Sequence, residues 1–324
     1  MALCGEQDDV VSLGSRAARR ALDAWGGELD DIGLVAVGTE TARDMSRPLS
    51  AWIANELGLH ENVRSYEVKH ACYGGTLALR QALEWRWAGV AQGRAALVVC
   101  SDIALYAPGH PGEATQGAGA VAMVIEKPDL LHVAKRSYAF SRPAFDFWRP
   151  VGEAYPKVDG PLSLKCYKDA VASTFGDWAG DDDAPFQPGD CESFSFHCPF
   201  PKMVKKGFTH GAGAVGIDDA AASELFEQSV APSLAWNAEV GNCYTASTWL
   251  SVACALQTTD AKNLAAFSYG SGCGAELLLF QRPDDSQGRL DASDMVRYLE
   301  EREVLSAADY QRLRASEAAA VAAE

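Results

Sequence analysis

Several features are missing from this 324-residue chain, and each absence removes a class of function. No apolar run approaches the ~20 residues a membrane-spanning helix needs; the longest stretches, AALVVC at 95–100 and GAVAMVI at 119–125, fall far short. The start, MALCGEQDDV, has neither a basic segment nor an apolar core behind it, so it does not read as a secretory signal. None of the nine cysteines forms a CxxC pair, which removes the paired spacing of zinc sites. Their odd number and scatter, in a chain large enough to fold without staples, point to reduced thiols in a cytoplasmic protein, packed mostly as small apolar groups. Basic residues are scarce: 28 Lys+Arg stand against 44 Asp+Glu, a net charge of −16. A surface of that sign repels a phosphate backbone, so nucleic acid is not an expected partner, and neither is a membrane.

What remains is a globular composition, 48% hydrophobic and 22% charged, enough for one large domain or two fused ones. Two segments share a pattern. AALVVCSD is followed by GAGAVAMVIEK, and LAAFSYGSG by CGAELLLFQ; in each pair an apolar strand meets a small-residue turn and a second apolar strand follows. This is either an internal duplication or a coincidence between buried strands. Helical spacing lies between them. VVSLGSRAARRALDAW puts Val11, Leu13, Ala17, Ala21 and Trp25 on one face, and TLALRQALEWRWAGVAQ and STWLSVACALQ are further helices. Alternating strands and helices predict an α/β architecture. DWAGDDDAPFQPGD reads as an acidic surface loop between the halves, and the chain after Arg282 as a polar helical tail. GAGAVG at 211–216 fits a dinucleotide fingerprint letter for letter, but a Lys-rich segment precedes it where a strand is required, so that reading fails.

Three residues are candidates for chemistry. In SYEVKHACYGGTLAL a strand runs to Cys72, two glycines allow a tight turn, and a helix begins near Thr76. A thiol beside a helix N-terminus feels its partial positive charge, which favours the nucleophilic thiolate; the alternative is a buried structural cysteine. His197 ends the alternating run SFSF before Pro199 and is placed to face a cleft, or to be a satisfied structural histidine. His60, His110 and His132 fall in loop-like or exposed contexts, and strand alternation would put His70 on the same face as Cys72. Glu40, at the end of the apolar strand GLVAVG, is either a general base or a cap for the next helix. The one basic cluster, Lys202, Lys205 and Lys206, is either a solvated helix face or the local patch that a phosphorylated ligand would need on so acidic a protein.

Taken together, GTETARD, KHACYGGTLAL, VVCSDIALY, GEATQGAGAVAMVI, FDFWRPVGEAYPKVDG, FHCPFPKMVKK, VGNCYTAS and FSYGSGCGAE make the chain resemble the 3-hydroxy-3-methylglutaryl-CoA synthase family from about Asp8 to Phe280. ACYGGT and the FHxPFxKM pattern are the specific motifs. The resemblance implies an α/β thiolase fold, two similar halves in a layered αβαβα arrangement with a central pair of helices. It implies an N-terminal half over 1–130, a connection over 131–190, a C-terminal half over 191–282 and a tail over 283–324. Family members carry an earlier segment with the first strand of the first sheet, so a central strand is expected to be lacking here and an edge exposed.

For the site, the resemblance implies Cys72, His197 and Glu40 as the catalytic set. Cys72 takes an acetyl group from acetyl-CoA, Glu40 removes a methyl proton, and His197 holds acetoacetyl-CoA and assists the developing alkoxide. Backbone N–H groups near Cys72 and in the Ser268–Gly272 loop, with Ser271, are the expected oxyanion hole. Thr115, Lys202 and Lys206 are expected to touch coenzyme A, with Asn242 and Tyr244 at the substrate and Asp102 and Asp146 in support. No metal and no cofactor beyond the thioester substrates is implied, and a homodimer is expected. The leading function is condensation of acetyl-CoA with acetoacetyl-CoA for the mevalonate pathway. The alternatives are polyketide β-branching on an acyl carrier protein and an inactive binding scaffold.

Overall fold

The run Ile32–Gly38 is buried at every position, as a strand covered on both faces must be, and forms β1. A computed structural model describes residues 2–5, 8–283, 290 and 293–323. Around β1 lie α1 (Val10–Trp25), α2 (Leu49–Leu57), β2 (Arg64–Val68), α3 (Gly74–Trp87), β3 (Ala95–Ile103) and β4 (Ala118–Ile125). Their sheet runs β2-β1-β3-β4, with β1 parallel to both neighbours and β4 antiparallel to β3. The second half begins with β5 (His132–Ala144), the short hairpin β6 (Phe147–Trp148) and β7 (Lys157–Val158), and α4 (Gly160–Ala179). It continues through β8 (Ser193–Phe196), α5 (Pro201–Ala214), α6 (Asp219–Ser229), α7 (Ala235–Val240), α8 (Ser247–Thr258), β9 (Asn263–Gly270) and β10 (Gly272–Gln281). The tail forms α9 (Ser293–Glu301) and α10 (Ala307–Ala323).

The second sheet runs β5-β10-β9-β8, with β8 parallel to β9 and β9 antiparallel to β10. The paired segments of the sequence therefore hold equivalent places: β3–β4 and β9–β10 are each an antiparallel pair flanked by a parallel strand. β5, from the stretch expected to be a connection, is the outer strand of this sheet, and α4 packs against it. In the first sheet the central positions are filled by β1 and β3. The expected central gap is not found; the edges among the described residues are β2 and β4.

Three cores set the layers. Leu79, Leu83, Trp249 and Leu250 of α3 and α8 are buried between Ala36 and Val98 of one sheet and Ala266 and Leu278 of the other. α1 and α2 cover the outer face of the first sheet through Val10, Leu22 and Ile53, and α4, α5 and α6 cover the second through Tyr167, Phe208 and Phe226. The order is helix, sheet, helix, sheet, helix. Aromatic rings fill the second outer core; Phe208 meets Phe194 edge to face at 5.4 Å.

The buried face of α1 is Val10, Val11, Gly14, Ser15, Ala18 and Leu22, about one position away from the face its apolar spacing predicts. Gly14 explains the shift: a Cβ there would lie 2.8 Å from Ile53 Cδ1, so α1 and α2 approach along the small residues rather than along Leu13 and Ala17. The acidic loop after α4 is anchored, since Trp178 is buried and donates its indole N–H to the Phe186 carbonyl at 2.9 Å. It lies inside the second half, between α4 and β8, not between the halves. GAGAVG closes α5 with no strand before it, as its context requires.

Candidate active site

Glycines bring the site together. A Cβ on Gly38 would fall 2.2 Å from the Gly75 Cα, so only a hydrogen there lets the end of β1 touch the start of α3. A Cβ on Gly270 would fall 2.4 Å from the His70 carbonyl oxygen and 2.5 Å from the Tyr73 nitrogen, which seats the end of β9 against the same turn. Between these contacts Ala71 is held at φ 43°, a left-handed conformation that costs an alanine energy and aims the next side chain away from the direction strand alternation would give. Cys72 thereby turns into the interior. His70 instead sits half-buried beside Gly272 and Gly274 and does not line the catalytic cavity, contrary to the expectation from alternation.

Cys72 Sγ–H donates to Glu40 Oε1 at 2.9 Å; Cys72 is buried, and Glu40 is half-buried with its carboxyl directed at the thiol. Burial first, then the charge of Asp102, pushes the Glu40 carboxyl up to about 8, while the thiol hydrogen bond and Arg149 pull the other way. Burial, then the Glu40 carboxylate, holds the Cys72 thiol well above its ordinary range. The resting nucleophile is thus a thiol hydrogen-bonded to the Glu40 carboxyl, which is ionised in only a minor fraction at pH 7, and not the thiolate expected beside a helix N-terminus: desolvation outweighs the helix end. Helix capping by Glu40 is excluded, because Pro48 precedes the first turn of α2 and Glu67 accepts from the Leu49 N–H at 2.7 Å.

Asp102 is a fully buried hub. One carboxylate oxygen accepts from Thr39 Oγ1 (2.9 Å), the Glu40 N–H (2.8 Å) and the Thr41 N–H (2.9 Å). The other accepts from the Thr245 N–H (3.0 Å) and Thr245 Oγ1 (2.5 Å). The end of β1 is thereby bound to the turn that leads into α8. Burial raises its pKa, opposed by those donors from Thr245, Glu40 and Thr41. Asp146 does the same for the β9–β10 turn, accepting from Tyr269 (3.1 Å), Ser271 (2.9 Å) and the Gly272 N–H (3.3 Å). Both aspartates support the site from behind, and neither lines the cavity.

A cavity of about 560 Å³ opens over the thiol. Of the expected site residues, Cys72, His197, Thr115, Lys206, Asn242, Tyr244 and Ser271 line it. Lys202 does not line it, but stands exposed one turn before Lys206 on α5; Lys205 points elsewhere and pairs with Glu227 at 2.7 Å. His197 is 2% exposed, its pKa is lowered to about 3 by burial, and its Nδ1 has no hydrogen-bond partner among the described residues. It is a neutral imidazole facing the same space as the thiol. Asn242 Oδ1 accepts from the Tyr244 N–H at 3.0 Å, holding Tyr244 at φ 43°.

Sequence reasoning named Tyr244 but missed Tyr106 and Phe147, which complete an aromatic wall with it. Tyr106, Phe147 and Tyr244 surround the thiol, with Phe147 edge-on to both tyrosines at 6.3 and 6.0 Å. His110, read as loop-like or exposed, is in a loop but half-buried: it stacks on Tyr106 at 5.2 Å and lines the cavity. It also missed Arg149, whose guanidinium donates to the Glu40 carbonyl at 2.5 Å. Tyr106, Phe147 and Arg149 stand inside motifs of the resemblance, but no periodicity singles out any of these residues, because each arrives from a loop or a two-residue strand.

The arrangement places a thiol, an adjacent carboxyl of raised pKa and a neutral imidazole together at a cavity of about 560 Å³, groups that can serve as nucleophile, base and hydrogen-bond donor. The family model described as hydroxymethylglutaryl-coenzyme A synthase N terminal matches residues 1–129, and its C-terminal counterpart matches 134–211 and 217–321. A hydroxymethylglutaryl-CoA synthase of Haloferax volcanii is 33% identical, over 94% of this chain and 80% of that protein. MvaS in complex with 3-hydroxy-3-methylglutaryl coenzyme A superposes with a TM-score of 0.86 at 35% identity, covering 94% of this chain and 80% of the other. The curacin-pathway HMG synthase in complex with holo donor-ACP superposes at 0.88 with 27% identity, covering 97% and 78%. The layered halves are those of the thiolase fold, and the chain belongs to the hydroxymethylglutaryl-CoA synthase family.

Proposed function

We propose that this protein is an acyltransferase that condenses acetyl-CoA with acetoacetyl-CoA through an acetyl-Cys72 intermediate and hydrolyses the product thioester to HMG-CoA. The observation that carries this reading is the Cys72–Glu40 hydrogen bond, with Cys72 lining the same cavity as His197 and Glu40 standing behind the thiol, outside that lining. The thiol proton passes to Glu40, whose carboxyl near pKa 8 is poised to exchange protons at neutral pH, as Sγ attacks the acetyl carbonyl. Coenzyme A leaves as its thiol, taking up a proton. Glu40, again ionised, removes a proton from the acetyl methyl, and the enolate carbon attacks the ketone carbon of the acceptor. Neutral His197 donates a ring N–H to the oxygen on which negative charge develops; with its pKa near 3 it acts as a hydrogen-bond donor and not as a resting acid. The alkoxide then takes up a proton, balanced by the one Glu40 removed from the methyl group, to give the tertiary hydroxyl and return Glu40 to its ionised form; water finally cleaves the Cys72 thioester, leaving a carboxylate on the product and the free thiol on Cys72.

Thr115, Lys206 and Lys202 are the proposed coenzyme A contacts, Asn242 and Tyr244 the substrate contacts, and Ser271 and the neighbouring backbone the oxyanion donors. A cytoplasmic homodimer is the proposed assembly. A second reading keeps the chemistry and changes the carrier, since the curacin synthase is described with a donor-ACP bound. The test common to both is mass spectrometry of the peptide containing ACYGGT after incubation with acetyl-CoA and acid digestion. An acetyl group on Cys72 is expected. Label on another cysteine overturns the nucleophile, and no label on folded protein favours the inactive scaffold.

A further inference from the structure

The tail helix α10 carries a buried guanidinium. Arg314 is 2% exposed, rare for arginine, and its Nε lies 3.0 Å from Oε1 of Glu113. It also donates to the carbonyl of Tyr106. One turn earlier, the Tyr310 hydroxyl donates to the same Glu113 oxygen at 2.7 Å and lies 3.5 Å from the amide of buried Gln116. The other Glu113 oxygen accepts from the Gly109 N–H at 2.7 Å, and Gln116 Oε1 accepts from the Tyr106 N–H at 3.1 Å. Burial alone would raise the Glu113 carboxyl, but the donors from Tyr310, Gly109 and Arg314 bring it below its usual range, so the pair is ionised at neutral pH. The segment 106–116 thus clasped has no place in either sheet, and it supplies Tyr106, His110, Pro111, Gly112 and Thr115 to the cavity lining.

We propose that α10 is a strap, with Arg314 and Tyr310 as positioning residues that hold the 106–116 wall in shape for the thioester. This rests on reading the cavity as the acyl-thioester site. Among the described residues the segment has one backbone bridge, at its end, where Gln116 pairs with Asn242 and the Asn242 N–H donates to the Thr115 carbonyl at 2.8 Å; the rest of the segment has no strand pairing, so its position depends on these side-chain anchors. Removing the guanidinium would leave Glu113 without its partner in a partly buried setting and free the wall to shift. A wall that touches substrate in the ground state and the transition state alike governs KM more than kcat.

The test uses the full chain with Arg314→Ala and Tyr310→Phe. The comparison is Arg302→Ala, which removes an exposed ion pair with Glu239 that ties the same tail elsewhere. Arg314→Ala is expected to raise the thioester KM about tenfold, a modest share of the ~100-fold that a misplaced group can cost. Its kcat is expected to stay within about threefold of the parent, the mark of lost uniform binding. Hydrogen exchange in peptides spanning 104–116 should quicken selectively. Tyr310→Phe keeps the ring and is expected to move KM in the same direction by a smaller factor; it carries the test if Arg314→Ala does not fold. An unchanged KM, a fall confined to kcat, or an equal KM change in Arg302→Ala overturns the strap. If the parent protein turns over no thioester, the functional reading has failed, and exchange at 104–116 still decides whether the strap holds the wall.

Discussion

Glu40 and Cys72 show how burial sets chemistry residue by residue. With Glu40 near 8 and the thiol higher, the pair titrates as a unit, and kcat/KM should rise with pH through an apparent value near 8. Arg149→Ala should move that limb upward, because the guanidinium lowers the Glu40 pKa; the shift should shrink in high salt, Arg149 being exposed. Stability has the opposite slope. Glu40 binds a proton in the folded state from its ordinary 4.5 up to about 8, whereas the unfolded chain releases it early, so its contribution falls as pH rises through that window. Glu40→Gln keeps an acceptor for the thiol and removes the charge. Its Tm should exceed that of the parent by more at pH 8 than at pH 5, while condensation falls about 10²–10⁴-fold for want of the base. Equal Tm gains at both pH values would contradict the assigned pKa shift.

At the scale of elements, the contact of β1 with α3 is the joint that sets Glu40 against Cys72. The neighbours of a Gly38 Cβ are backbone atoms of Gly74 and Gly75, which cannot rotate aside as a side chain would. Gly38→Ala is therefore expected to destabilise the protein by about 1–3 kcal/mol or more, read from urea unfolding. In whatever folds, kcat should fall, because Glu40 and Cys72 are pushed apart. A stable variant with normal kcat would mean that the strand end can slide without cost. The central hydroxyls make a second joint: Thr76 Oγ1 donates to Ser268 Oγ at 2.8 Å, linking α3 to β9 deep in the middle layer. The apolar periods made these strands and helices legible. They did not show which small residues were contacts, and that is why the predicted face of α1 was displaced.

For the whole molecule, two expected outcomes concern assembly and carrier. β2 is an edge of the first sheet and leads directly into the Cys72 turn, and pairing of two such edges would cover it and brace the turn. Light scattering is expected to give about twice the 34.6 kDa chain mass, and an active monomer would exclude this arrangement. For the carrier, Lys206 at the cavity and Lys202 one turn away are exposed cations on a strongly acidic protein, suited to the phosphates of free coenzyme A. In competition at equal concentration, acetoacetyl-CoA is expected to outrun acetoacetyl carrier protein, with a KM that climbs as salt is added. A tenfold preference for the carrier, ~1.4 kcal/mol in transition-state terms, would move the protein to polyketide branching.

The sequence alone was enough for the α/β class and the paired strand segments, because apolar period and glycine-bounded turns are local properties of a chain; it marked Cys72, Glu40 and His197 as candidates, and only the resemblance joined them into one set. It also carried the family motifs. The thiol's protonation state was decided only by the fold: the effect of a helix end on a cysteine depends on how much water and which charges surround it, and those arrive from β1 and β3. The rest of the cavity was decided in the same way. Tyr106, His110 and Phe147 come from segments without a period, and Arg314 reaches the wall from about two hundred residues away, held by an ion pair whose strength depends on burial that no sequence window contains.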